Sequence, residues 1–149
     1  YLYNNGIGPD GANQIAGALK INTSLTSLNL EKNQLGPDGA KEIADALKVN
    51  ITLTSLNLES NNHGPRGAKA IANALLANST LTELFLVGNE IGTGGVKAIA
   101  KALKVNNTLT KLLLFDYNQI QAEGEKALAN ALKKNPLSSL IVLRYVSTT

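Results

Sequence analysis

The sequence predicts an α/β solenoid: a right-handed, curved coil of strand-plus-helix units, with parallel strands on the concave side and helices on the convex side. Three observations predict it. Leu25, Leu53, Leu81, Leu109 and Leu137 return every 28 residues, and each opens the pattern L-x-x-L-x-L, the last copy closing on Val142. Within each unit a short period-two segment comes first. A longer segment of helical period follows.

The strand half is Leu28-x-Leu30, repeated as Leu56-x-Leu58, Leu84-x-Leu86 and Leu112-x-Leu114. Leucines two apart share one face of a strand, so this face is buried. Asn33, Asn61, Asn89 and Asn118 follow. An Asn side chain bonds free backbone groups where a strand turns away, so stacked copies predict an asparagine ladder. The chain opens on the tail of another copy, with Leu2, Asn5 and Ile7.

The helix half shows Ala40, Ile43, Ala44 and Leu47 at i, i+3, i+4 and i+7. The same face returns as Ala12, Ile15, Ala16, Leu19, then Ala68, Ile71, Ala72, Leu75, then Val96, Ile99, Ala100, Leu103. Gly36-Pro37-Asp38 marks a start, because Pro tolerates the first turn and an acid there complements the helix dipole. Gly39, Gly67, Gly95 and Gly124 fall in the first turn, where a neighbouring helix leaves no room for a side chain. Asn22, Asn50, Asn78 and Asn106 follow the helices and are expected to take a left-handed end conformation.

These units divide a single domain, 1–149, into about five copies: 1–24 (partial), 25–52, 53–80, 81–108, 109–136 and 137–149 (partial). The N-terminal end shows no convincing polar cap, and Leu137 to Val146 reads as a degenerate last strand that serves as a cap only in part, so an excerpt of a longer protein is expected. The consensus L-x-x-L-x-L-x-x-N-x-L-G-x-x-G-x-x-x-I-A-x-A-L resembles the ribonuclease-inhibitor type of leucine-rich repeat. Its form from Leu25 to Gly36 is most similar to repeats of NOD-like receptors and of eukaryote-like bacterial effectors. The resemblance implies a leucine-rich-repeat solenoid that recognises a protein or peptide on its concave face.

Composition narrows the function. Net charge is +3, carried by residues 76–149 with eight basic and five acidic side chains, while 1–75 balance at six and six. No dense basic run with interleaved aromatics is present, which argues against nucleic acid. The absence of cysteine excludes disulfides, thiolate metal sites and a cysteine nucleophile. The longest apolar candidate, Leu140 to Val146, is far short of a membrane helix and contains Arg144. A cytoplasmic location is expected. Four N-x-[ST] motifs, at Asn22, Asn50, Asn78 and Asn106, carry a secreted alternative, although one repeat position copied four times explains them.

Strand residues between the core leucines face the concave side. By 28-residue spacing the central column reads Asn29, Asn57, Phe85, Leu113, Ile141, and the next reads Glu31, Glu59, Val87, Phe115, Leu143. Two polar copies give way to three apolar ones, with Glu83, Lys111, Asp116 and Arg144 at the flanks. An apolar patch rimmed by charge reads as a recognition surface anchored by Phe85 and Phe115. The alternative is that further repeats cover it. On the convex side, Lys41, Lys69 and Lys97 form one row and Lys20, Lys48 and Lys104 another. They read as solubilising surface, or as a docking stripe for acidic partners.

Two places break the pattern. His63 replaces the Leu35 and Ile91 type and reads as a partly buried substitution, or as a pH-sensitive or ligand-contacting group. The fourth copy has an extra residue in Leu114-Phe-Asp-Tyr-Asn118, and a compensating loss is expected near Asn135-Pro136. The extra residue reads as a bulge toward a ligand or as drift near the end of an array. No nucleophile–base pair or phosphate loop is present, so the chain reads as a binder without a cofactor or metal rather than an enzyme. Ran-type GTPase activation and a purely architectural role, spacing domains or self-associating, are the alternatives.

Overall fold

A computed structural model describes residues 1–135 and the backbone of 141–143. The elements alternate without exception: α1 (Gly8–Ile21), β1 (Ser27–Asn29), α2 (Gly36–Leu47), β2 (Ser55–Asn57), α3 (Gly64–Ala77), β3 (Glu83–Phe85), α4 (Gly92–Leu103), β4 (Lys111–Leu113), α5 (Ala122–Lys134) and β5 (Ile141–Leu143). The strands form one parallel sheet in sequence order. Parallel strands lie about 4.8 Å apart, whereas packed helices need about 8–10 Å. A row of helices is therefore longer than its row of strands, and the stack curves with the strands inside.

The core is the expected one. Leu56, Leu58, Leu84, Leu86, Leu112 and Leu114 are wholly buried, as are Ile43, Ile71 and Ile99 from the helices. Ala46, Ala74 and Ala102 are buried too, although the helical pattern did not single them out. The first-turn glycines are required by contact. A Cβ at Gly39 would lie 3.0 Å from the Cβ of Ala12 on the preceding helix, and one at Gly95 would lie 2.8 Å from that of Ala68. Gly36 has a different duty: φ is +65°, and its N–H donates to the Asn61 carbonyl at 2.9 Å.

The asparagine ladder forms as expected. The Oδ1 of Asn61 accepts from the backbone N–H of Asn33 at 2.9 Å. Its Nδ2 donates to the carbonyls of Leu30, Leu58 and Glu59. Asn89 and Asn118 repeat the scheme.

A second ladder replaces the expected left-handed helix ends. Asn22 and Asn78 are extended, with φ of −75° and −79°, and Asn50 and Asn106 are not among the residues of positive φ. Each Asn is held by its side chain. The Nδ2 of Asn50 donates to the Leu19 carbonyl of the preceding helix at 2.8 Å, while its Oδ1 accepts from Thr52 and Leu53 N–H. Asn78 and Asn106 do the same one layer further on. These bonds supply donors for carbonyls that a helix leaves free at its end.

The 28-residue spacing does not survive the fourth copy. Glu59 and Val87 accept from the preceding layer through their carbonyls, and Asp116, not Phe115, takes that place by accepting from Gly88 N–H at 2.9 Å. Phe115 is thus the extra residue. No compensating loss occurs before Asn135, whose Nδ2 donates to the carbonyls of Leu103 and Asn106, as Asn106 does to Leu75 and Asn78. The sheet register is offset further: Leu113 pairs with Leu143 and Lys111 with Ile141, 30 residues apart where earlier strands pair 28 apart, so one more residue is added between Asn135 and Ile141.

Candidate functional site

The site builds on the exposed edge of each strand. Parallel register sets Ser27, Ser55, Glu83 and Lys111 in one row, and Asn29, Asn57, Phe85 and Leu113 in another. Phe85 and Leu113 are half-buried neighbours on adjacent strands. The Lys111 ammonium lies 4.9 Å from the Phe85 ring centre, a cation–π contact that holds the ring's position. Glu83 accepts a hydrogen bond from the Ser55 hydroxyl at 3.0 Å. Val87, half-buried, continues the apolar surface beyond β3.

Three expected members stand elsewhere. Counting by 28 sets Ile141 in the central row beside Leu113, but a two-residue offset, Phe115 and one more after Asn135, moves it into the Lys111 row and gives Leu143 the central place. Phe115 was placed beside Val87. It is instead half-buried against the hydrophobic core, because the backbone slot beside Val87 belongs to Asp116. One carboxylate oxygen of Asp116 is buried without a hydrogen-bond partner among the described residues. Tyr117 occupies the positive-φ turn position of Lys32, Ser60 and Gly88, and is 85% exposed. Arg144 lies outside the described residues.

The other end of the strand face is polar. The Oδ1 of Asn29 accepts from Glu31 N–H at 2.9 Å, and that of Asn57 from Glu59 N–H at 2.8 Å. These short loops hold two carboxylates in neighbouring layers. Burial pushes the Glu59 carboxyl above its ordinary value, the Glu31 charge adds to the rise, and Lys32 opposes it. Glu31 and Glu59 were visible in the sequence as an acid repeated at 28-residue spacing, but the apolar columns drew the site away from them. The strand face is thus acidic at one end and apolar at the other. Among the described residues no three His, Cys, Asp or Glu side chains converge to hold a metal, and no helix is long and apolar enough to cross a membrane.

His63 was expected to be partly buried. It is wholly buried in the column of Leu35 and Ile91, with no hydrogen-bond partner for either ring nitrogen among the described residues. Burial lowers its pKa to about 3. It is a core side chain and takes no part in the strand face.

A parallel sheet of three-residue strands, backed by helices and sealed by asparagines, defines a repeat protein that leaves one face of its sheet uncovered. Residues 22–44, 49–72 and 77–100 each match the family model described as Leucine Rich repeat. The chain belongs to the leucine-rich-repeat family. Among solved structures it is similar to the one titled leiomodin-1 actin-binding site 2, at 36% identity and a TM-score of 0.77, covering 90% of this chain and 78% of that one. It is also similar in fold to the tropomodulin C-terminal domain of Caenorhabditis elegans, at 12% identity and a TM-score of 0.76, covering 93% and 84%. No curated protein matches the chain.

Proposed function

We propose that the chain is a protein-interaction module that binds a protein or peptide through the strand face, with Phe85 and Leu113 as the central anchors. The observation that carries this reading is the half-buried Phe85–Leu113 pair, set side by side on adjacent strands of the sheet. The sheet orders these side chains before any partner arrives, so binding costs little further conformational entropy. Glu83 and Lys111 beside them supply a polar rim. The leiomodin-1 domain is titled an actin-binding site, which suits a protein partner and makes actin the first one to test.

The test uses the immobilised chain with monomeric and filamentous actin. The wild-type chain should retain actin, and the Phe85→Ser/Leu113→Ser variant should lose at least tenfold in affinity, about 1.4 kcal/mol or more. Both side chains are only half-buried, so the variant should keep its circular dichroism spectrum. No retention by the wild type removes actin as the partner. Equal retention by both removes the strand face.

A further inference from the structure

We propose that a groove on the helical side, between α3 and α4, docks an acidic partner segment anchored by one aliphatic side chain. The groove has a volume of about 300 Å³. Ala72, Ala98 and Ala102 line its floor, and small side chains there leave the hollow open. Leu76 forms a wall and is 54% exposed. Lys69 and Lys101 stand at the rim.

The repeat supplies an internal control. On α2 the equivalent surface holds Lys41, Asp45 and Lys48; Asp45 pairs with both lysines at 2.9 and 2.7 Å, and Glu42, 3.8 Å from Lys41, brings the second negative charge. One layer on, Asn73 replaces the aspartate and Leu76 replaces the second lysine. Two layers on, Lys101 stands at the aspartate position. The surface thus changes from neutral and polar to basic with an apolar hollow.

Neither α3 nor α4 contains an Asp or Glu. Their other cations are engaged with neighbouring helices, Arg66 with Asp38 and Lys97 with Glu123. No carboxylate among the described residues pairs with Lys69 or Lys101. An unpaired lysine couple over an apolar hollow is complementary to carboxylates flanking a leucine-like side chain. The hollow receives an inserted side chain, whereas a bilayer surface would call for an apolar ridge. The groove faces away from the strand sheet, so it stands or falls independently of the strand-face reading.

The probe is a synthetic peptide with one leucine flanked by glutamates, added to the isotope-labelled chain while amide resonances are followed. Saturable shifts are expected at Leu76 and Ala98. Lys69→Gln/Lys101→Gln should weaken binding at least tenfold, and so should replacing the peptide's leucine with serine. Lys41→Gln/Lys48→Gln on α2 should leave it unchanged. All four lysines are exposed, and thermal melts will confirm that both variants fold. The proposal is overturned by an absence of shifts at the groove, by equal binding of the serine peptide, or by indifference to the rim lysines. Lysine-dependent binding to phosphatidylserine vesicles that exceeds binding to the peptide would assign the groove to a membrane surface instead.

Discussion

His63 fills a slot that other layers give to an aliphatic side chain, and a stability prediction follows from that mismatch. Among the described residues neither ring nitrogen has a partner, and burying such a group costs about 1–3 kcal/mol. The folded-state pKa, about 3, lies below the ordinary value of 6.5. Between these values the unfolded chain binds a proton that the folded chain does not. Its contribution to stability is therefore complete above pH 6.5 and falls as the pH drops toward 3, by up to roughly 1.4 kcal/mol per pH unit. His63→Leu should raise the unfolding free energy at pH 7.5. It should raise it further at pH 4.5, where the wild type is penalised. Urea melts at the two pH values measure both, and an equal gain at each would show that the histidine is not protonated on unfolding. The sequence located this residue correctly as the odd member of its column. It did not show the depth, because burial at the turn depends on how closely the next layer seals it.

At the scale of the element, the two asparagine ladders show what spacing reveals and what it conceals. The strand-side ladder was legible because Asn33, Asn61 and Asn89 stand in step after each strand. The helix-side ladder was visible as Asn22, Asn50, Asn78 and Asn106, yet its conformation was misread. A lone Asn after a helix suggests a left-handed cap, whereas here each side-chain oxygen accepts from the N–H groups two and three residues on, as Asn22 does with no layer before it. Later copies add a bond to the preceding layer's carbonyl. Asn61→Ala would strip donors from the carbonyls of Leu30, Leu58 and Glu59 and leave the buried Asn33 N–H without an acceptor. A loss of roughly 2–4 kcal/mol is expected from chemical denaturation. Asn22→Ala, at the exposed start of the second ladder, removes only acceptance from Ser24 and Leu25 N–H and should cost under about 1 kcal/mol. Comparable losses for both would mean that stacking adds nothing to these bonds. The slip in the fourth copy limited the site in the same way. Counting by 28 placed Ile141 and Phe115 in the apolar columns. The hydrogen bonds of Asp116 and Asn135 show that the extra residue is kept, and the strand register adds one more after Asn135; together they bring Leu143 beside Leu113.

At the scale of the whole molecule, every helix packs on the next helix in sequence and every strand on the next strand, so each described layer touches only its neighbours. Five similar units made this architecture readable from the sequence, since a unit that cannot bury its own leucines must stack. The same arrangement predicts how damage spreads. In a nearest-neighbour stack the stability is a sum of layer terms and interface terms, so a defect acts on two interfaces in the middle and on fewer at an end. Leu84, wholly buried in β3, is sealed by β2 and β4. Leu84→Ala should cost about 2–5 kcal/mol and reduce amide-exchange protection on both sides, across β2 to β4. Leu28, in β1 and already 8% exposed, should cost less when changed to Ala, with lost protection confined to β1, β2 and the helices against them. The wild-type amides of Leu56 and Leu84 should exchange more slowly than that of Leu28, because opening the centre breaks two interfaces at once. If both variants lower protection uniformly from α1 to α5, the chain unfolds as a single unit. The strand face and the helical groove would then lose their order together rather than layer by layer.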